Sequence, residues 1–359
     1  MSEGRSRDSG LGTRDAGREA KALWLCCPHC KGTLSFESER CRCAGCGRVF
    51  PVLFGIPDLR VPVAAWIDFD EDRSFAAALA ADPAARTFEG MVTRVWESRR
   101  SIPASVVRRR LQEIANMHRK SAADLSAQGW IGSGLDAGDA ESRCLEIGCG
   151  TGGFVAAAAS RFSLAAGIDV SMTWLLVTRR RLEEAGATAS LACACAERLP
   201  VPDGHFDAVV AQDVLEHVGD RQAVLAEMDR VTRPGGAIFT TTPNRFSLSA
   251  EPHVGVWGVG FVPRRWMKGY VRWRRGMDYP HTYLLSLFGL RRMLSRLRRR
   301  GWSVRAPALD PGEVAAFTPV KQRFARFYNR ALRIPWLRWA LLPIVPFFQV
   351  VVRKNSGSR

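Results

Sequence analysis

A short apolar strand that runs directly into three alternate glycines and then an alanine-rich helix constrains this chain more than any other stretch. It reads Leu145-Glu146-Ile147-Gly148-Cys149-Gly150-Thr151-Gly152-Gly153, with Cys144 to Ile147 as a buried strand. Glycine suits a turn where backbone must approach a ligand closely, because a Cβ would block that approach. The helix start behind it offers unpaired N–H groups and a positive dipole end. Glu146 at the strand end argues against a phosphate cradle. A glycine-rich turn alone is a weak signal, so the elements that follow decide its meaning.

Those elements alternate. Helix Phe154 to Arg161 precedes strand Leu164 to Ser171, and helix Thr173 to Ala185 precedes strand Ala189 to Ala194. A turn, Pro200 to Gly204, leads to strand Phe206 to Ala211; helix Asp220 to Val231, Pro234-Gly235-Gly236 and strand Ala237 to Thr242 complete the series. Strands and helices alternating at this length predict an α/β, doubly wound, Rossmann-like parallel sheet with its ligand at the carboxyl ends of the strands. Asp169 lies 23 residues beyond Glu146, the spacing that brings a second-strand carboxylate to a ribose.

The chain has G-x-G-x-G behind an acid, not the G-x-G-x-x-G of a dinucleotide site, and this suits a ligand with a cationic amino acid end. With LEIGCGTGG, GIDVS, AERLPVPDGHFDAVVAQDVLEHV and RVTRPGGAIFTTTPN in order over residues 143–244, it resembles the class I S-adenosylmethionine-dependent methyltransferases. In its motifs the core is similar to the ubiquinone/menaquinone methyltransferase group. The resemblance implies a seven-stranded sheet, S-adenosyl-L-methionine as cofactor and a set of roles. Gly148, Gly150 and Gly152 would pass under the methionine and ribose parts, with Glu146 orienting their loop. Asp169 would accept from the ribose hydroxyls, and Met172 would touch adenine. Asp213, at the head of D-x-x-E-H, would lie beside the sulfonium, with His217 either facing cofactor and acceptor or standing next to core. Relatives usually carry an acid where this chain has Cys195. A thiol is a weak acceptor, which leaves adenine to backbone groups around Cys195 and Ala196, or to Glu197.

Ahead of this core stand Cys27-x-x-Cys30 and Cys43-x-x-Cys46, separated by 12 residues. Two such pairs supply four thiolates for one structural Zn2+, with Gly32 and Gly47 permitting the tight turns. A unit of roughly 40 residues fills little core alone, so the metal is expected to supply its folding energy. Residues 23–60 resemble a Trm112-like zinc ribbon. The expected order is therefore a disordered lead (1–22), the zinc ribbon (23–62), a helical linker or lid (63–135) and the cofactor-binding core (136–245). An acceptor-side insertion (246–283) and a basic, Trp-rich C-terminal part (284–359) follow. In the linker, Phe75, Leu79, Phe88, Val92, Val95 and Trp96 make one helical face, and Val106, Val107, Leu111, Ile114 and Met117 another.

Charge is distributed unevenly. The formal net charge is +17, yet residues 258–359 hold 22 Lys/Arg against 3 Asp/Glu, a net of +19, which leaves the remainder at −2. Such a segment suits an anionic partner, either a membrane surface or RNA, or else forms a solvated basic face. The N-terminus shows no apolar stretch of a secretory leader, and the longest apolar run, Trp339 to Val352, is about 14 residues against the roughly 20 of a spanning helix. The expected location is cytoplasmic, with peripheral contact at a membrane. The favoured activity is O-methylation of a small lipophilic or lipid-linked acceptor; the alternative is RNA methylation. A hydroxyl acceptor must lose a proton, and histidine is the side chain suited to take it near neutral pH, so His217, His253 and His281 are the candidate bases. Helices are expected from Leu284 to Arg300 and over Ala325 to Trp339, with a closing antiparallel strand over Phe347 to Arg353.

Overall fold

The computed structural model of the protein describes residues 24–61, 67–98, 111–112, 114, 117, 121, 141–279, 282–297, 300–309, 311–315 and 318–355. The expected lead, the loop before the first core strand, Val106, Val107 and His281 lie outside them.

Strand β5 (Arg143–Ile147) is central, and after it come α3 (Gly153–Ala158), β6 (Leu164–Asp169), α4 (Met172–Glu184) and β7 (Ser190–Cys193). Before β5 stand the ribbon strands β1 (Leu34–Phe36), β2 (Arg40–Cys43), β3 (Val49–Leu53) and β4 (Ile56–Pro57), then helices α1 (Phe69–Ala81) and α2 (Phe88–Glu97). The chain continues through β8 (Phe206–Gln212), α5 (Arg221–Val231), β9 (Thr232–Pro243), α6 (Arg264–Arg275) and α7 (Leu287–Leu294). Last come β10 (Arg300–Arg305), α8 (Pro311–Ala315), α9 (Pro319–Ala331), α10 (Pro335–Leu341) and β11 (Phe347–Lys354). The large sheet has seven strands in the order β10-β11-β9-β8-β5-β6-β7. Strands β5 to β9 pair in parallel, while β11 inserts antiparallel between β9 and β10. This is the doubly wound sheet expected, with β11 as its reversed strand.

Two boundaries need correcting. The basic helix expected to reach Arg300 stops at Leu294, and β10, not anticipated, begins at Arg300. Its pairing with β11 sets the strand, because Arg-rich sequence has no period that marks an edge strand. The insertion after β9 is not only loop: Val254, Val256, Val259, Met267, Val271 and Tyr279 form a small core of their own around α6.

The ribbon gathers its four cysteines as expected. Cys27 and Cys46 have Sγ atoms 3.6 Å apart, Cys30 and Cys43 3.4 Å, and all four lie within 4.8 Å of one another. Tetrahedral zinc with bonds of about 2.3 Å would separate its sulfurs by about 3.8 Å, so the thiols fit it. The N–H of Cys46 donates to Cys43 Sγ at 3.4 Å. A Cβ on Gly32 would lie 3.2 Å from two of the sulfurs, which explains the glycine behind the first pair. The left-handed turns fall on Lys31 and Gly47.

The ribbon does not stand on metal alone, as its size suggested. Trp24, Leu25, Leu34, Phe50 and Leu59 belong to the same buried cluster as Leu145, Ile147 and Phe206 of the sheet. Lys31 Nζ donates to Leu199 O at 2.8 Å, and Cys26 N to Pro200 O at 2.9 Å. The ribbon exit then runs beside β7, with Leu59 N donating to Cys193 O at 2.7 Å. A shared core couples unfolding of the two parts. Cys27→Ser is therefore expected to lower the melting temperature of the whole chain by on the order of 10 °C in one transition, read by calorimetry; a separate early ribbon transition would contradict the shared core.

Candidate active site

A cavity of about 840 Å³ opens at the carboxyl ends of β5, β6, β7 and β8, where a ligand of this fold is expected. Its floor is the glycine turn. Gly148 has φ +70°, and a Cβ there would come within 2.4 Å of Val214; Gly152 has φ +73° and lies against Thr178. Both conformation and crowding therefore demand glycine. Gly148 and Gly150 line the cavity, whereas Gly152 caps α3 behind it.

Two buried acids hold this turn. Glu146 accepts from the N–H of Val155 at 2.9 Å, a carboxyl oxygen placed on the first turn of α3. Burial pushes its carboxyl well above the usual range. Glu146 thus shapes the loop from behind and does not line the cavity. Asp169 accepts from Gly150 N at 2.8 Å through one oxygen and from Ser171 N at 2.9 Å through the other. A carboxylate offers about four lone-pair sites, so two remain toward the cavity that Asp169 lines. Burial raises its carboxyl to about 6, against the lowering effect of those two N–H groups.

The opposite wall comes from the linker helix α1, which contributes Asp68, Glu71, Asp72 and Phe75. Asp72 went unnoticed in the sequence because it sits among acids that any helix start favours. Its carboxylate accepts from Ser171 Oγ and Met172 N, each at 2.7 Å, and from Arg60 at 2.8 Å. Met172 requires a correction. Its side chain is fully buried with Phe154, Val155 and Leu175 in the core between α4 and the sheet, and Ser171, Thr173 and Trp174 line the cavity in its place. Helix α4 begins at Met172, so the periodicity of its buried face turns this residue inward.

At the far wall lie Cys195, Ala196 and Glu197. The Cys195 thiol donates to Val61 O at 3.2 Å, and burial pushes it up to about 11. It is a neutral donor committed to the ribbon exit. Glu197 Oε1 accepts from Gly219 N at 3.1 Å.

The mouth of the cavity carries Asp213, Val214, His217 and Val218. Asp213 has φ +55° and receives Thr241 Oγ1 at 2.9 Å. His217 is half-buried, with its Nε2 3.1 Å from Nε2 of His253; Nδ1 of His253 meets Glu251 Oε1 at 2.5 Å. The structure therefore brings two of the three candidate bases together, one on the β8 loop and one from the insertion. Glu216 lies under this pair, fully buried, with Oε1 4.0 Å from His253 Nε2. Its other oxygen accepts from Thr242 at 3.1 Å, while Oε1 has no hydrogen-bond partner. Burial, reinforced by the charge of Asp213, raises the Glu216 carboxyl well above the usual range. In the sequence Glu216 passes for a capping residue between core positions.

Residues 145–240 match a protein family described as a methyltransferase domain. The ubiquinone biosynthesis O-methyltransferase of Thiobacillus denitrificans is 36% identical over 111 residues, which is 31% of this chain and 48% of that protein. That of Aromatoleum aromaticum is 38% identical over 111 residues, 31% of this chain and 47% of that protein. A ubiquinone/menaquinone biosynthesis C-methyltransferase of Chromobacterium violaceum is 37% identical over 110 residues, 30% of this chain and 44% of that protein. The chain thus spans under half the length of these relatives. Among solved structures, phosphoethanolamine N-methyltransferase 2 of Haemonchus contortus aligns with a TM-score of 0.42 and 19% identity, over 66% of this chain and 52% of that one. Over residues 145–240 the chain is thus similar to methyltransferase domains, and this stretch supplies the parallel part of the seven-stranded α/β sheet.

Proposed function

We propose that the protein is an S-adenosylmethionine-dependent methyltransferase that methylates a hydroxyl of a small lipophilic or lipid-linked acceptor at an anionic membrane surface. The observation that carries the methyltransferase reading is the cavity floor, where Gly148, Gly150 and the half-used Asp169 carboxylate face one another at the strand ends. S-adenosylmethionine supplies the methyl group on a sulfonium. The chain's own residues do the rest. The glycine turn lets backbone lie against the amino acid end, and Asp169 orients a ribose through its free lone pairs. Asp213 and His217, at the mouth, face the side from which an acceptor enters. Cys195 offers no carboxylate to an adenine amino group, so that end rests on backbone and on Glu197.

The acceptor class rests on the exposed aromatic side chains of the insertion and of the C-terminal helices. Trp257, Trp266, Trp273, Trp336 and Trp339 are all at least 57% exposed, as are Phe288, Phe324 and Phe327. These side chains alternate with arginines, and Arg265, Arg274 and Arg291 stack on Trp266, Trp273 and Trp339. Helices that expose tryptophan beside arginine suit the plane of an anionic interface, where the ring sits at the headgroup level and the guanidinium meets the anion. No helix among the described residues is long and apolar enough to cross a membrane. The names of the O-methyltransferase relatives are in keeping with transfer to an oxygen.

Two outcomes test this reading. Asp169 accepts most strongly from ribose hydroxyls as a carboxylate, and the burial that raises it to about 6 sets the window. S-adenosylhomocysteine is therefore expected to bind about tenfold more weakly at pH 5 than at pH 7.5, and Asp169→Asn to weaken it at pH 7.5 while flattening the profile. The sign is opposite for folding: a raised carboxyl favours the native state below its unfolded value, and that contribution is lost as pH rises through 6. Calorimetry across pH reads the first effect, and no binding at any pH would end the methyltransferase reading. In flotation, the chain is expected to bind phosphatidylglycerol-containing vesicles in a salt-sensitive manner. Trp266→Ala, Trp336→Ala and Trp339→Ala together should weaken this by about tenfold or more; salt-sensitive binding of bulk RNA without vesicle binding would favour an RNA acceptor instead.

A further inference from the structure

Around the ring of Tyr283, beside the cavity mouth, the geometry points to a phosphate site that holds the acceptor by a phosphate ester joined to its apolar part. The site stands on its own contacts; naming its ligand as the acceptor rests on the proposed methyltransferase function.

Two arginines face one ring. The guanidinium carbon of Arg264 lies 3.6 Å from the centre of the Tyr283 ring, and that of Arg221 lies 3.9 Å from it. Each is the first residue of a helix, α6 and α5 respectively, where the positive end of the helix dipole disfavours a cation. Asp220 caps α5, but no side chain caps α6. Arg245 adds a third positive charge. Burial foremost, then the like charge of Arg245, lowers the Arg264 guanidinium, and burial with the charge of Arg264 lowers that of Arg221. All three nevertheless stay charged near neutral pH. Among the described residues none of them meets a carboxylate at ion-pair distance, and their hydrogen bonds go to the backbone carbonyls of Gly219, Gly260 and Leu284. Asp220 and Glu216 act on Arg221 only from farther away.

Donors in this cluster remain unspent. Arg221 Nε has no hydrogen-bond partner, and neither have the buried hydroxyls of Tyr279 and Thr282. Buried donors without partners are uncommon in a folded chain and mark a place where a further acceptor fits. A phosphate matches this inventory. Its oxygens take the parallel N–H bonds of a guanidinium two at a time. Its charge as a monoester, about −1.5 to −2 near neutral pH, balances two arginines where the single charge of a carboxylate does not.

What the phosphate is joined to follows from its neighbours. Arg245 lies over the ring of Phe246 at 5.1 Å, Phe246 meets Phe261 at 5.7 Å, and Phe261 stacks on Trp257 at 6.3 Å. All three rings are exposed, so an apolar chain leaving the arginines has an aromatic surface to lie on. On the other side, Tyr283 N donates to Glu216 O at 2.7 Å, and the adjoining His217 lines the cavity. A phosphate held between these two sides leaves the other end of the acceptor free to enter at the mouth. The arginines position the acceptor and take no part in the transfer.

The probe is decyl phosphate below its micelle concentration, compared with decanol and with inorganic phosphate by calorimetry on the full chain. One decyl phosphate per chain is expected to bind about tenfold or more tighter than either. Arg221→Gln and Arg264→Gln should each weaken it about tenfold, while Arg274→Gln, at an exposed arginine farther along α6, should change it by less than about twofold. Arg264 is half-buried, so Arg264→Lys serves as a second variant that keeps the charge and gives up the fork; about a threefold loss is expected at an unchanged melting temperature. Equal binding of decanol would reveal an apolar surface with no phosphate site, and equal binding of inorganic phosphate an anion site with no lipid. An equal loss in Arg274→Gln would reveal a diffuse basic face of the kind that a bilayer or RNA meets. Each of these three results overturns the site. S-adenosylhomocysteine binding is expected to be the same in every variant, because none of these arginines lines its cavity. Its absence from the unaltered chain would strike the methyltransferase reading and leave the phosphate site to the decyl phosphate results.

Discussion

The buried guanidinium of Arg60 is the contact on which the arrangement of the site depends. Its side chain has no exposed surface, and it makes a two-bond pair with Asp58, at 2.7 and 2.9 Å, and a third bond to Asp72 at 2.8 Å. It also donates to Val170 O at 3.0 Å, immediately beyond Asp169. One cation therefore ties the ribbon exit, the linker helix α1 and the end of β6 together. Removing one partner of such a buried pair typically costs 3–5 kcal/mol, because the other charge is stranded. Asp58 is further held by Arg73 at 2.8 Å, and the pair of cations overcomes burial to keep its carboxyl below the usual range.

The same network explains why the ribbon precedes this sheet. Its exit strand runs parallel to β7 and delivers Val61 O to the Cys195 thiol. Where the family resemblance leads one to expect an acid, this chain has a neutral thiol facing a backbone carbonyl. A carboxylate at that position would meet the Val61 carbonyl oxygen and the buried Asp58 nearby. The ribbon and the cysteine thus belong to one solution: the sheet edge is covered by added backbone, and the side chain beneath it must donate.

Legibility in the sequence followed the range of the contacts. The glycine turn, Asp169 and the four thiols are local patterns, in which a strand end, a turn and a fixed spacing carry the chemistry, and the structure brings them together at the expected places. The placement of Met172 is not legible locally, because a residue so close to Asp169 can face either cavity or core, and only the phase of α4 decides. Asp72 and Glu216 were illegible for a different reason. Each lies where its local sequence already has an ordinary explanation, a helix start for Asp72 and a core segment for Glu216. Their significance comes from partners about 100 residues away in the case of Ser171 and 37 in that of His253. Strand β10 escaped because its pairing with β11, not its own composition, makes it a strand.

The acceptor side is built by the insertion anchoring itself on the D-x-x-E-H segment. Tyr283 N donates to Glu216 O at 2.7 Å, and His253 meets His217 at 3.1 Å, so both ends of the insertion are fixed to the same few residues. Between them the small core around α6 keeps Trp257 stacked near Phe261 and fixes Tyr270 through its hydroxyl to Trp257 O. Rigid anchoring of this kind leaves the tryptophans and arginines to face outward, since their inward places are already filled. A surface that is both rigid and amphipathic can hold its cavity mouth at a fixed depth in an interface. On the proposed function, the floor of the cavity would select the methyl donor, while the anchored insertion would set the medium from which the acceptor arrives.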